Sequence, residues 1–282
     1  MKIGVIGGSG LYRLTEDGPE PEKLEVSTPF GETSGPLYKQ TVADKTVFFL
    51  ARHGAGHRIL PSEINYRANV YALKKMGVSA IISVSAVGSM KKEIQPGQFV
   101  LPDQYIDLTK GKRDPSFFGE GVVAHAHFAD PTCSALREAL IAAANTQSIK
   151  CHAKGTYVCI EGPQFSTRAE SMLYRSWGVD VIGMTALPEA RLAKEAGISY
   201  QTVAMATDYD CWNTEGGDVT VEAILKVLSD NVASSRKLVF ELLSQKLPDF
   251  ESINRGQMAS CVVTPKEMWP AARREVLETI LS

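Results

Sequence analysis

Short apolar runs rich in β-branched and aromatic residues recur through most of this chain: Ile3–Ile6, Thr46–Leu50, Ala80–Val84, Gln98–Leu101, Thr156–Ile160, Val179–Met184 and Ile198–Met205. Runs of this length, bounded by Gly, Pro or polar residues, read as strands buried on both faces. Helical spacing lies between several of them. "INYRANVYALKKMG" places Ile64, Ala68, Tyr71 or Ala72 and Lys75 on one face and stops at Gly77, a plausible helix-ending glycine. "CSALREALIAAANTQ" and Val221–Gln245 carry the same period, the second long enough for one extended helix, and Lys266–Leu281 closes the chain in a helix-like stretch. Such alternation predicts an α/β fold, a mixed and mostly parallel sheet covered by helices on both sides. The polar stretch Gly18–Pro29 and the charged stretch Lys110–Gly121, with its Phe117–Phe118 pair, read as solvated connections. Residues 246–260 read as loosely ordered. Neither repeat nor linker divides the 282 residues, so one domain is expected over 1–282.

The hydrophobic fraction of 44% is enough for a sizeable core. A formal net charge of -2 supplies no general attraction to nucleic acid or to an anionic membrane, so an anion has to be bound locally. Five scattered cysteines without a C-x-x-C suggest neither a disulfide framework nor a zinc site, and fit reduced thiols in the cytoplasm. No run approaches the roughly 18 to 20 apolar residues of a membrane helix, and Gly7, Gly8 and Gly10 break the N-terminal stretch as a strand and turn would.

Four strand ends carry residues suited to an anion. "GVIGGSGLY" fails as a dinucleotide fingerprint, since Arg13 stands where the third glycine belongs, but it offers backbone N–H groups and the Ser9 hydroxyl after a strand. A tight turn without ligand explains the segment equally well. In "LARHGAGHRILPSEINYRAN", Arg52 can clamp an oxyanion with two parallel hydrogen bonds and His53 can donate another, with His57 and Arg58 close behind. "SVSAVGS" contributes Ser85 and the Ala86 N–H, and "VIGMTALPE" contributes Met184 and Thr185. Each is weak alone; together they match the habit of α/β sheets to collect ligands at the carboxyl ends of strands.

These segments, with "IGGSGL", "ARHG", "NYRANVYALK", "SAVGS", "QPGQFVLPDQYID", "EGPQFSTRAE", "GMTALPEARLAKEAGI" and "ATDYDCW", make the chain resemble the trimeric purine nucleoside phosphorylase family. The motifs run in family order from residue 3 to about residue 212, about three quarters of the chain. The resemblance implies a single phosphorylase domain whose central mixed sheet is distorted towards a barrel, and a homotrimer with sites near subunit interfaces. It assigns Ser9, Arg52, His53, Ser85, Ala86 and Thr185 to phosphate, and Phe165, Ser166 and Met184 to base and ribose, with His57 nearby. His125, in a register ambiguous with His127, matches a residue supplied across the interface towards the 5′ substituent. Residues 246–282 match least, and a lid they contribute over the 5′ group stays unassigned.

The stretch "MATDYDCW" places Asp208 and Asp210 where a buried strand ends. In phosphorolysis the C1′–N9 bond of a purine nucleoside breaks as phosphate attacks C1′, and the leaving base must take up a proton. A carboxyl whose pKa is lifted by burial can donate it at N7. A 6-amino group pairs with a carboxylate acceptor, whereas a 6-oxo group needs a donor, and the 6-oxopurine branch of the family carries Asn where Asp208 stands. The pair therefore favours adenine, with Asp208 as general acid and Asp210 either orienting it or contacting N6. As a helix cap or a metal ligand set the two acids are poorly explained.

Val221 and Ile224, on the family's methylthio-facing positions, are apolar and would strand a hydroxyl, at a cost of about 1 to 3 kcal/mol. Core packing explains them as well. The expected reaction is phosphorolysis of 5′-methylthioadenosine to adenine and 5-methylthioribose 1-phosphate, with inorganic phosphate as co-substrate and no cofactor or metal. Gly183, where some eukaryotic members carry Asn, leaves tolerance of other purine nucleosides open. The rival readings are a 6-oxopurine or broader nucleoside phosphorylase, a nucleosidase that uses water, and a non-catalytic nucleoside-binding module.

Overall fold

The computed structural model describes residues 1–8, 11, 19–214 and 221–282, of which 221–226 and 228–230 are described through their backbone alone. Among the described residues the strands are β1 (Lys2–Gly7), β2 (Glu22–Leu24), β3 (Leu37–Val42), β4 (Lys45–Ala51), β5 (Ala80–Ser89), β6 (Phe99–Val100), β7 (Gln104–Asp107), β8 (Cys151–His152), β9 (Thr156–Cys159), β10 (Val181–Gly183) and β11 (Ser199–Asp208). The helices are α1 (Tyr66–Lys75), α2 (Ser134–Thr146), α3 (Arg168–Ser176), α4 (Glu189–Glu195), α5 (Val221–Ser244), α6 (Phe250–Asn254) and α7 (Ala271–Leu281).

All the strands belong to one mixed sheet. Its flank runs β2-β3-β4-β1-β5, antiparallel through β2, β3 and β4 and parallel from β4 through β1 to β5. Beyond β5 the sheet forks. One arm is β10-β9-β7 and the other β11-β6-β8. The arms meet again, because β6 leads directly into β7 and β8 into β9. Hydrogen bonds from Leu101 N to His152 O (2.9 Å) and from Asp103 N to Gly155 O (3.0 Å) carry the pairing across the break. The result is the expected distortion towards a barrel, with β5 shared between the open flank and the ring.

Strand positions alternate between two cores, as the period of two demands. In β4, Phe48 and Leu50 join Tyr66, Val70 and Leu73 of α1, Leu192 of α4 and Ile280 of α7. Val47 and Phe49 face the other way, with Leu136 and Leu140 of α2, Leu238 and Leu242 of α5, and Phe250. Both faces are dry, so the strands read as continuous apolar runs; each large aliphatic side chain so buried contributes roughly 1.5–3 kcal/mol. Local signals agree. Asn65 caps α1 by accepting from Ala68 N at 3.1 Å, and Thr167 and Glu170 form a reciprocal capping box on α3.

Three expectations need correction. The stretch 18–29 contains β2, and 110–121, a mostly exposed connection as expected, is nevertheless pinned to the core by buried Arg113 and Phe117. Residues 246–260 hold the short helix α6, anchored by a fully buried Phe250, although most of their side chains stay exposed. Finally, β5 and β11 run on past Val84 and Met205, because they pair with one another along almost their whole lengths. Among the described residues no helix is long and apolar enough to cross a membrane.

The loop carrying Phe117 is fastened by Glu195 at the end of α4, whose carboxylate accepts from Phe117 N (2.6 Å) and Ser116 Oγ (2.8 Å). Burial pushes the Glu195 carboxyl up to about 7, against the pull of those donors. A raised carboxyl pKa favours folding below the ordinary value of 4.5, and that contribution is lost as pH rises through about 7. Glu195→Gln is therefore expected to gain thermal stability relative to the parent between pH 5 and pH 8. A difference in melting temperature that stays constant over that range would show that the carboxyl titrates normally.

Candidate active site

The fork at β5 opens a cavity. Along one edge β5 pairs with β1 from Ala80 to Ser83 and with β10 at Gly88 and Ser89, while β11 holds the opposite edge throughout. Between the diverging partners, Val84–Val87 keep an edge with no ladder. That edge lines a cavity of about 550 Å³, together with Arg52 and His53 after β4, Gly183 at the end of β10 with Met184 and Thr185 after it, Thr207, Asp208 and Asp210 at the end of β11, Phe165 and Ser166 before α3, and Val232 and Ser235 of α5.

Arg52 enters from the end of β4 and is 2% exposed. Its Nε and Nη2 donate to the two oxygens of Glu189 at 2.9 and 3.2 Å, Nη2 also donates to Ser83 Oγ at 2.7 Å, and Nη1 donates to Val84 O at 3.2 Å. Of five guanidinium hydrogens, one on Nη1 is left uncommitted among the described residues. The fork expected to clamp an oxyanion thus clamps Glu189, itself fully buried and also accepting from Ser83 Oγ (2.5 Å) and Tyr200 Oη (2.9 Å). The cause is desolvation: a guanidinium this deep needs a counter-charge from the protein.

His53 also departs from expectation. Its Nδ1 lies 2.8 Å from Ile59 O, and a carbonyl only accepts, so Nδ1 carries the hydrogen. Burial, then the Arg52 charge, press its pKa down to about 4. The ring is therefore neutral near pH 7 and its Nε2 is an acceptor, not a donor. His57 stacks on it with ring centroids 4.1 Å apart, and burial and Arg52 lower its pKa too.

Ser85 and Thr185 complete this end. Ser85 Oγ is buried without a partner, and Thr185 sits in the turn after β10. That turn is held by Arg113, whose Nη1 donates to Met184 O (2.7 Å) and Leu187 O (2.8 Å) while Nε binds Glu161 at 3.0 Å.

At the other end stand the two acids. Asp208 accepts from Thr207 Oγ1 and from Asp210 N, both at 2.7 Å, and Asp210 accepts a short hydrogen bond from Ser171 Oγ of α3. Burial raises both carboxyls; the donors oppose it, and at Asp208 the neighbouring Asp210 charge adds to it. Gly88 makes the pairing possible, since a Cβ there would lie 3.1 Å from Asp208 Oδ1 and 3.3 Å from Asp210 Cβ.

Residues 2–244 match the model of the Phosphorylase superfamily. The chain belongs to the phosphorylase superfamily. It is 49% identical over 280 residues to S-methyl-5′-thioadenosine phosphorylase of Koribacter versatilis, covering 99% of this chain and 95% of that protein. It is 48% identical over 262 residues to the protein of that name from Saccharolobus solfataricus, covering 92% and 94%. Among solved structures it resembles a methylthioadenosine phosphorylase from an antarctic soil metagenomic library, with a TM-score of 0.91, 43% identity and 99% and 98% coverage. It also resembles the Schistosoma mansoni methylthioadenosine phosphorylase in complex with adenine, with a TM-score of 0.86, 36% identity and 92% and 98% coverage.

In this phosphorylase-superfamily chain the cavity gathers Arg52, His53, His57, Ser85, Ala86, Phe165, Ser166, Met184, Thr185, Asp208 and Asp210 from segments far apart in sequence. Ser9 lies outside the described residues, as do the side chains of Val221 and Ile224. His125 is exposed and does not line the cavity of its own chain. The sequence reading missed Glu189, Arg113, Ser171 and Gly88. Glu189 was detectable only as a charged residue amid small and apolar neighbours, and Arg113 carried no signal that set it apart from the charged run Lys110–Asp114.

Removing one partner of a buried ion pair strands the other, typically at about 3–5 kcal/mol. Arg52→Ala should therefore lower the denaturation midpoint strongly, and Glu189→Gln added to it should recover part of the loss. A double variant no more stable than Arg52→Ala alone would show that Glu189 does not depend on Arg52.

Proposed function

We propose that this chain catalyses phosphorolysis of 5′-methylthioadenosine, giving adenine and 5-methylthioribose 1-phosphate. The observation that carries the reading is the polarity of the cavity. Two carboxyls with raised pKa values line the cavity at the end of β11, and the open edge of β5 with Ser85 and Thr185 lines it as well, around about 550 Å³ of space. The names of the full-length relatives, and the adenine in the Schistosoma mansoni complex, support the same substrate class.

In this mechanism inorganic phosphate, the co-substrate, is held by Ser85, the Ala86 N–H, Thr185, the remaining Arg52 N–H and His53, with Ser9 as a further donor. One phosphate oxygen attacks C1′ while the C1′–N9 bond breaks, and its electron pair passes into the purine. Asp208, whose carboxyl burial raises above its ordinary range, delivers a proton to N7, and the leaving base departs neutral. Asp210, fixed by Ser171, faces the 6-amino group or steadies Asp208. Met184, Phe165, Ser166 and His57 flank base and ribose, and Val221 and Ile224 face the methylthio group. The chemistry calls on no cofactor.

The working form is a homotrimer, in the cytoplasm, in which a neighbouring subunit brings His125 to the 5′ end. The exposure of His125 on its own chain, and of Phe165, Met172, Leu173 and Trp177 around the cavity mouth and on α3, supports this assembly.

The test is base release from 5′-methylthioadenosine, adenosine and inosine with and without inorganic phosphate. Phosphate-dependent release, fastest from methylthioadenosine, is expected; release without phosphate would make the chain a hydrolase, and preference for inosine would overturn the reading of the acids. Asp208→Asn is expected to lower the rate on 6-aminopurine nucleosides by about tenfold or more and to shift preference towards inosine. Unchanged kinetics on both would remove Asp208 from the mechanism.

A further inference from the structure

Tyr157 lies on β9 with no accessible surface, its ring edge-on to Tyr105 with centroids 5.8 Å apart. The side chain runs behind the wall of the cavity and ends against Gly183, where an added Cβ would stand 2.1 Å from the Tyr157 oxygen. The oxygen lies beside Ser85 and the Thr185 main chain. Both of those residues line the cavity. Neither the Tyr157 hydroxyl nor the Ser85 hydroxyl completes a hydrogen bond within the described protein.

Unused hydrogen-bonding capacity in a dry interior costs stability, and native folds seldom keep it without a use. Here two such hydroxyls sit side by side, and phenylalanine would fill the same ring site without the cost. A serine hydroxyl has one hydrogen and two lone pairs. When Ser85 turns its hydrogen towards an anion in the cavity, its lone pairs face back into the wall, where the Tyr157 O–H is at hand to donate. Burial holds the phenol well above its ordinary pKa, so it stays a donor at any pH the fold tolerates.

We infer that Tyr157 is a positioning residue of the anion end: its hydroxyl donates to Ser85 Oγ and so commits the Ser85 hydrogen to an oxyanion in the cavity. The inference rests on the phosphorolysis reading above. It also accounts for Gly183, because any side chain there would push the phenol away from Ser85. The pair Tyr157–Gly183 is thus set from behind the wall by the anion in front of it. Linked donors of this kind strengthen each other, and the gain appears only when the anion is present.

Tyr157→Phe tests this, since it keeps the ring and removes one oxygen. The KM for inorganic phosphate should rise by about tenfold, the effect of one hydrogen bond, with the nucleoside KM unchanged. Thermal stability without phosphate should not fall, and the upward shift of the melting temperature on adding inorganic phosphate should shrink. In a Ser85→Ala background the same change should add no further rise in phosphate KM, as expected of two residues acting as one unit. An unchanged phosphate KM would overturn the inference, as would an equal effect in both backgrounds. So would loss of stability with both KM values rising together, which is the mark of a packing role. Were the parent neither stabilised by phosphate nor dependent on it, the phosphorolysis reading itself would fail. A phosphate-dependent parent with an indifferent Tyr157→Phe variant would overturn the inference alone.

Discussion

Strand β5 has three partners and two edges. One edge belongs to β11 from Ala80 to Gly88, so β1 and β10 must share the other, and they do so by parting. The flank of the sheet follows β1 and the ring follows β10. Between them the backbone of Val84–Val87 lacks a ladder partner on that side. In a buried sheet this would be a liability, because unpaired main-chain groups away from water are costly. At the head of a cavity it leaves main-chain groups open, flanked by the ends of β1 and β4 level with Val84, by β11 running on to Gly88, and by β10 arriving from the opposite direction.

The electrostatics of the cavity follow from its depth. Arg52 is too buried to remain a free cation, and Glu189 neutralises it with help from Ser83 and Tyr200. The hydrogen bonds continue from Tyr200 to Thr202 and on to Tyr105, so the pair stands at the head of a polar chain inside an otherwise apolar ring. His53 is neutral for the same reason. The end of the cavity around Ser85 therefore presents dipoles and single N–H and O–H groups rather than net positive charge, which suits the phosphate nucleophile proposed above. Around Asp208 and Asp210 the same dryness raises the two carboxyls above their ordinary range.

The strands that build this arrangement were legible because both of their faces are buried, which leaves unbroken apolar runs such as Val47–Leu50 and Val203–Ala206. β3 was not, since "LYKQTV" mixes exposed and buried positions and pairs on the flank. The acids and the small residues at strand ends were legible as chemistry, and the fold brings them together. What could not be read were the residues whose partners lie far away in sequence. Arg113 looks like part of a charged loop until the Met184 and Leu187 carbonyls are placed around it, and Glu189 looks like an ordinary helix-start acid until it meets Arg52, 137 positions earlier. Gly88 and Gly183 carry meaning only through the atoms pressed against them.

The hydrogen bond from His53 to the Ile59 carbonyl has a consequence for anion choice. By fixing the hydrogen on Nδ1, it leaves Nε2 with a lone pair rather than a hydrogen to offer the phosphate of the proposed reaction. Hydrogenphosphate has an O–H to offer that lone pair, whereas sulfate, similar in size and charge near neutral pH, has only oxygens that repel it. In the reaction proposed above, a main-chain carbonyl behind the His53 ring would thus let the cavity distinguish two dianions by the single proton that one of them carries.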